Sequence, residues 1–132
     1  MLGACGGSSG DGAASSTGHC GPTTPTSKPP FAASALSTAV RVTLEDYVFA
    51  GLPSSVQGPN VRFDATISGS NCHNIEVDDG SGRSVALLPA FDSGSRTLSA
   101  VLPPGTYTLR CTVSEGVKTH EQLGMKATLT VE

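Results

Sequence analysis

Tryptophan is absent and only 5% of the residues are aromatic, so the chain lacks the stacking platforms on which single-stranded nucleic acid is held. Its 8 Lys and Arg are outnumbered by 11 Asp and Glu and form no cluster. A phosphate-backbone partner is therefore not expected. No apolar run approaches the roughly 20 residues of a membrane-spanning helix. No C-x-x-C pair occurs, which argues against a structural zinc site and a thioredoxin-type redox motif. At 132 residues there is room for one core plus an appendage, not for two cores.

What is present divides the chain in two. Residues 1–37 hold 7 Gly, 4 Pro, 7 Ser and 4 Thr, with only Asp11 and Lys28 charged. That composition buries too little apolar surface to offset the entropy of ordering, and it reads as a disordered N-terminal tether. Its first residues, Leu2-Gly3-Ala4-Cys5, look like a bacterial lipobox with Cys5 as the lipid-bearing residue. The alternative is a chance match in a Gly/Ala/Ser-rich segment, since no hydrophobic signal region precedes it in this sequence.

From residue 38 to 132 the pattern changes to short alternating segments broken by Gly and Pro, which predicts one all-β domain, a sandwich or barrel. Val40, Val42 and Leu44 alternate with polar neighbours, as do Val61, Phe63, Ala65 and Ile67. Further strands are expected over 73–78, 84–88, 96–102, 106–113 and 126–131. Pro103-Pro104-Gly105 marks a tight turn that feeds the strand beginning at Thr106.

The end of the chain carries Cys111, His120 and Met125 at the spacing C-x8-H-x4-M. A thiolate, an imidazole and a thioether make a soft donor set that suits copper cycling between Cu(I) and Cu(II), not calcium or magnesium. Two imidazoles and one thiolate with a weak axial Met require a second histidine. His73 supplies it, because the other candidate, His19, lies in the tail. Strand parity supports convergence, since side chains alternate between faces. His73 shares the parity of Ile75 and Val77, Cys111 that of Tyr107 and Leu109, and Met125 that of Ala127 and Leu129.

These residues resemble the cupredoxin, or type 1 blue copper, family. The resemblance rests on His73-Asn74, on Leu102 through Cys111, on His120 through Met125 and on the closing Lys126–Val131, and it spans about 38–132. It implies a Greek-key β-sandwich with one type 1 copper near one end, held by His73, Cys111, His120 and Met125. By the same resemblance Asn74, with Thr112, supports the ligands, Asn74 tying the His73 loop to the Cys111 loop. It further implies outer-sphere electron transfer without catalysis of a substrate reaction. One departure is the eight residues between Cys111 and His120, more than small soluble carriers of the family usually have. The His120 ring edge is the expected electron port, with Leu52, Pro53, Val56 and Leu123 as candidates for an apolar docking rim.

With Cys111 given to copper and Cys5 to lipid, Cys20 and Cys72 remain. Cys72 has outward parity, so a disulfide from Cys20 would pin the tail to the outside of the sandwich. Two free thiols or pairing between chains are the alternatives. The expected protein is a monomeric electron carrier of the periplasm or another extracytoplasmic space. It would meet redox partner proteins there and touch a membrane only through a lipid on Cys5. Two rivals remain: a copper carrier or resistance protein with the same site, and a metal-free immunoglobulin-like module bridged from Cys72 to Cys111.

Overall fold

In the computed structural model the described residues are Cys20, the backbone of Thr26–Ser27, and residues 37–132. Cys5, His19 and the remainder of segment 1–37 lie outside them. The strands are β1 (Thr26–Ser27), β2 (Thr38–Glu45), β3 (Val48–Ala50), β4 (Ser55–Val56), β5 (Asn60–Ile67) and β6 (His73–Asp78). They continue as β7 (Ser84–Phe91), β8 (Ser95–Val101), β9 (Gly105–Arg110), β10 (Ser114–Glu115), β11 (Lys118–Thr119) and β12 (Lys126–Val131). No helix occurs among the described residues.

Two sheets carry the fold, with orders β1-β7-β6-β9-β12-β4 and β3-β2-β5-β8, and β10-β11 forms a separate hairpin. Alternation places Val40, Val42, Leu44, Phe63, Ala65 and Leu98 of the smaller sheet against Ile75, Val77, Leu88, Leu109 and Leu129 of the larger one. Fully burying each large aliphatic or aromatic side chain among them contributes about 1.5–3 kcal/mol. The chain crosses between sheets from β5 to β6 and from β7 to β8, and β2 lies parallel to β5. The fold is all-β, a Greek-key sandwich. Tyr107 donates its hydroxyl to the Pro103 carbonyl at 2.6 Å, a tyrosine corner that fixes the entry into β9.

Several features depart from the sequence-based expectation. Within the segment read as a tether, Thr26–Ser27 pairs antiparallel with Leu87 and Ala86 at the edge of β7. Strand β9 stops at Arg110, so Cys111, Thr112 and Val113 leave the ladder and enter the loop toward His120. Strand β7 runs to Phe91 and holds one extra residue opposite His73–Ile75 and another opposite Val77–Asp78. Such bulges bend a strand and re-aim its side chains. Strands β3, β4, β10 and β11 were not foreseen, because two or three residues are too few to show a period.

Register decides which loops share an end. Leu44 pairs with Phe49 and with Ile67, Thr66 with Ser95, and His73 with Phe91. The β2–β3 turn, the start of β6 and the loop leaving β9 therefore gather at one end. Val56 pairs with Val131, five residues along β12 from Lys126. At a rise of about 3.4 Å per residue that puts Val56 roughly 17 Å or more from the Met125 end. Val56 is therefore no part of a rim around the site, and both it and Leu52 pack against the core. Of the four rim candidates, only Leu123, 38% exposed, lies in the loop between Cys111 and Met125.

Candidate metal centre

Strand β6 begins with His73, β9 ends one residue before Cys111, and β12 begins one residue after Met125. All three, with His120, are buried. The nitrogen or sulfur donors of His73, Cys111 and His120 lie within 4.8 Å of one another. Each ring turns the same atom inward. Nδ1 of His73 is 3.1 Å from Nδ1 of His120, and Cys111 Sγ is 3.9 Å from the first and 3.5 Å from the second. Met125 joins this group through its backbone: its N–H donates to the His120 carbonyl at 2.9 Å, and its carbonyl accepts from the Cys111 N–H at 3.1 Å.

The loop from Cys111 to Met125 is folded, and its sequence explains how. Ser114–Glu115 and Lys118–Thr119 pair as a hairpin around Gly116 and Val117. Gly116, at φ +67°, occupies the first central position, where a two-residue hairpin turn of type II′ favours glycine. Thr119 and Gln122 then form a capping box: the Gln122 side chain accepts from the Thr119 N–H at 2.8 Å, and Thr119 Oγ1 accepts from the Gln122 N–H at 3.2 Å. The turn so closed holds His120. Gly124, at φ +113°, reverses the chain so that Met125 meets His120 and β12 can start. The T-x-x-Q signal is present in the sequence and went unread there.

Behind the donors, Asn74 braces two loops. Its Nδ2 donates to Thr112 Oγ1 at 2.9 Å, its Oδ1 accepts from the Thr112 N–H at 2.8 Å, and its backbone N–H reaches Cys111 Sγ at 3.5 Å. Arg110, not foreseen from sequence, bonds Asp78 at 2.7 Å, Glu76 at 3.2 Å and Glu121 at 3.0 Å. It thereby clamps β6 to the ligand loop. The hydrogen bond to Glu121, followed by Asp78, holds its pKa above the ordinary value.

The His120 ring is not an exposed port. It is 2% exposed, and its outer nitrogen, Nε2, lies 3.1 Å from Glu115 Oε1. Tyr47 packs edge-on against the ring at 5.1 Å and donates its hydroxyl to the same Glu115 oxygen at 2.7 Å. On the other ring, His73 Nε2 lies 3.2 Å from Asp46 Oδ1. Solvent approaches through an open groove of about 520 Å³ beside His120, lined by Ser70, Asn71, Glu115 and the cystine of Cys20 and Cys72.

That cystine is a disulfide with Cα atoms 5.8 Å apart and a sequence separation of 52. In the chain-entropy model a loop of this size gives about 4 kcal/mol of stabilisation. Cys111 is a free, buried thiol. The immunoglobulin-type bridge from Cys72 to Cys111 is thus excluded, because Cys72 faces outward to Cys20 while Cys111 faces inward to the histidines.

Hydrogen-bond chemistry tests whether these residues suit a cation. A neutral imidazole has one donor and one acceptor nitrogen, and an ionised carboxylate only accepts. With both Nε2 atoms facing carboxylates, both Nδ1 lone pairs point at one spot beside a sulfur. Burial lowers the His73 pKa below its ordinary value, against the opposing effect of its hydrogen bond to Asp46, so that ring resists resolving the conflict by taking a proton. Burial also raises the Cys111 pKa, against N–H bonds from Asn74 and Val113. Two bare nitrogens and one sulfur, with Met125 adjoining, are a soft site that fits copper.

No family model and no curated protein matches the chain. Solved structures do. Auracyanin B is 22% identical and aligns over 82% of this chain and 97% of its own, with a TM-score of 0.64. Reduced rusticyanin is 15% identical over 75% of this chain and 81% of its own, at 0.53. Amicyanin from Paracoccus versutus is 17% identical over 83% of this chain and 99% of its own, at 0.50. The fold is that of the cupredoxins.

Proposed function

We propose that this chain is a type 1 copper protein: a monomeric outer-sphere electron carrier of the cell envelope that shuttles between redox partner proteins and transforms no substrate. One observation carries the reading. Two imidazole Nδ1 atoms and one thiol Sγ converge within 4.8 Å, and all three residues are buried. When bound, the copper would supply a one-electron Cu(II)/Cu(I) couple.

The chain's own residues set the terms. Cys111 would release its proton to water as the metal binds, because burial otherwise favours the protonated thiol. The Asn74 and Val113 N–H groups would then stabilise the thiolate. His73 and His120 would bind as neutral rings, and Met125 would be a weaker fourth donor that favours the reduced ion. Anchoring at the ends of three strands and by the Asn74–Thr112 brace limits movement between oxidation states, which keeps electron transfer fast. The Cys20–Cys72 disulfide supports an oxidising, extracytoplasmic compartment. A lipid on Cys5 would hold the domain at a membrane.

Voltammetry of the copper-loaded protein tests the role. A reversible one-electron wave, with copper retained against a Cu(I) chelator, is expected of a carrier of electrons. Irreversible behaviour with ready loss of the ion to the chelator would instead favour a carrier of copper.

A further inference from the structure

We infer that Asp46 and Glu115, linked through Tyr47, are positioning residues that lock the outer nitrogens of both histidines, fix Nδ1 as the ligating atom of each ring and hold down the potential of the site. The inference rests on the copper reading above and adds to it the groups that control it.

Asp46 comes from a turn, and Glu115 from the short strand β10 that precedes one. Asp46 and Tyr47 are the turn between β2 and β3, and Tyr47 is the only non-glycine residue with positive φ among those described, at +71°. The left-handed region costs an aromatic residue on the order of 1–2 kcal/mol. A strained conformation of this kind persists where the surrounding structure fixes it, often at a functional site. Here the turn serves two rings at once. Asp46 Oδ1 faces His73 Nε2 at 3.2 Å, while the Tyr47 ring lies against His120 and its hydroxyl holds Glu115. Glu115 arrives on the β10–β11 hairpin and meets His120 Nε2 at 3.1 Å.

The carboxylates themselves are half exposed, 49% for Asp46 and 52% for Glu115, whereas the rings they face are buried. Solvent-screened charges of that kind contribute little to stability. Their geometry acts on the rings instead. A carboxylate that accepts from Nε2–H leaves Nδ1 bare, orients the ring and raises its basicity as a ligand. Two anionic groups near the site also favour the more highly charged oxidised ion, which lowers the reduction potential.

The test starts with metal-free protein. In wild type, NMR should show two hydrogen-bonded ring protons on Nε2. D46A should lose the His73 proton alone and E115A the His120 proton alone, through rapid exchange with water. On loading, each Ala variant should bind Cu(II) about ten- to a hundredfold more weakly in chelator competition and show a more positive potential. E115Q keeps an acceptor but not the charge, so its ring proton should persist while its potential still rises. Ring protons found on Nδ1 in wild type would overturn the inference. So would Ala variants whose ring protons, affinity and potential all match wild type. A wild-type protein that takes up no copper sinks the electron-carrier reading, and the ring protons of metal-free protein then decide this inference alone.

Discussion

Strands β2 and β6 face each other across one core, yet they obey different rules. In β2, Val40, Val42 and Leu44 are buried and their neighbours are not, so period two is written in both the sequence and the burial. In β6, His73, Asn74, Ile75, Val77 and Asp78 are all buried, and β7 carries two extra residues beside it. A buried polar group costs free energy unless it is bonded. Each buried polar residue of β6 has a partner: His73 meets Asp46, Asn74 meets Thr112 and Cys111, and Asp78 meets Arg110 through Oδ2, while its buried Oδ1 has none among the described residues. One strand exists to fill the core, and the other exists to bury a polar site beside it.

Substitutions should separate the two. The largest effect belongs to Cys111→Ser, which should abolish the visible charge-transfer colour of copper-loaded protein while circular dichroism still reports a folded sheet. A coloured variant would mean that sulfur is not a ligand. Next come paired changes on the two strands. Leu44→Ala in β2 should cost about 2–5 kcal/mol in urea unfolding and leave the copper spectrum intact. Asn74→Ala in β6 should cost about 1–3 kcal/mol and also weaken copper binding, since it frees the Cys111 loop from the His73 strand. Equal effects of both variants on the metal would erase the distinction.

The smallest effect is on pH. Burial lowers the His73 pKa in the fold, so below about pH 6.5, its ordinary value, the unfolded chain takes a proton that the folded chain refuses. This contribution to stability is complete above that pH and shrinks as the pH falls toward the lowered folded value. The Tm of metal-free protein should therefore drop between pH 7 and 5, less so in His73→Phe. A flat wild-type profile would show that the ring is not held neutral.

The same contrast explains what the sequence disclosed. Alternation in β2, β5 and β12 made the sandwich readable, and the C-x8-H-x4-M spacing pointed at the residues that the structure gathers. Parity placed His73 and Cys72 on opposite sides of β6, and the structure joins Cys72 to Cys20 on the outer side. Groups that act through tertiary contact left no such trace. Nothing local marks Asp46, Tyr47 and Glu115, which meet the histidines across 27, 73 and 5 residues of chain, as neighbours of the site. The sequence likewise does not show that Arg110 meets Glu76, Asp78 and Glu121, which come from β6 and from the loop after Cys111. The covered face of His120 is the clearest case, since loop length gave no hint that the extra residues fold into a hairpin carrying a carboxylate.

The visible and EPR spectra of protein loaded with one equivalent of Cu(II) test the central claim most directly. An intense thiolate-to-copper band that bleaches on reduction and returns on oxidation is predicted. A colourless protein without a copper EPR signal would contradict it.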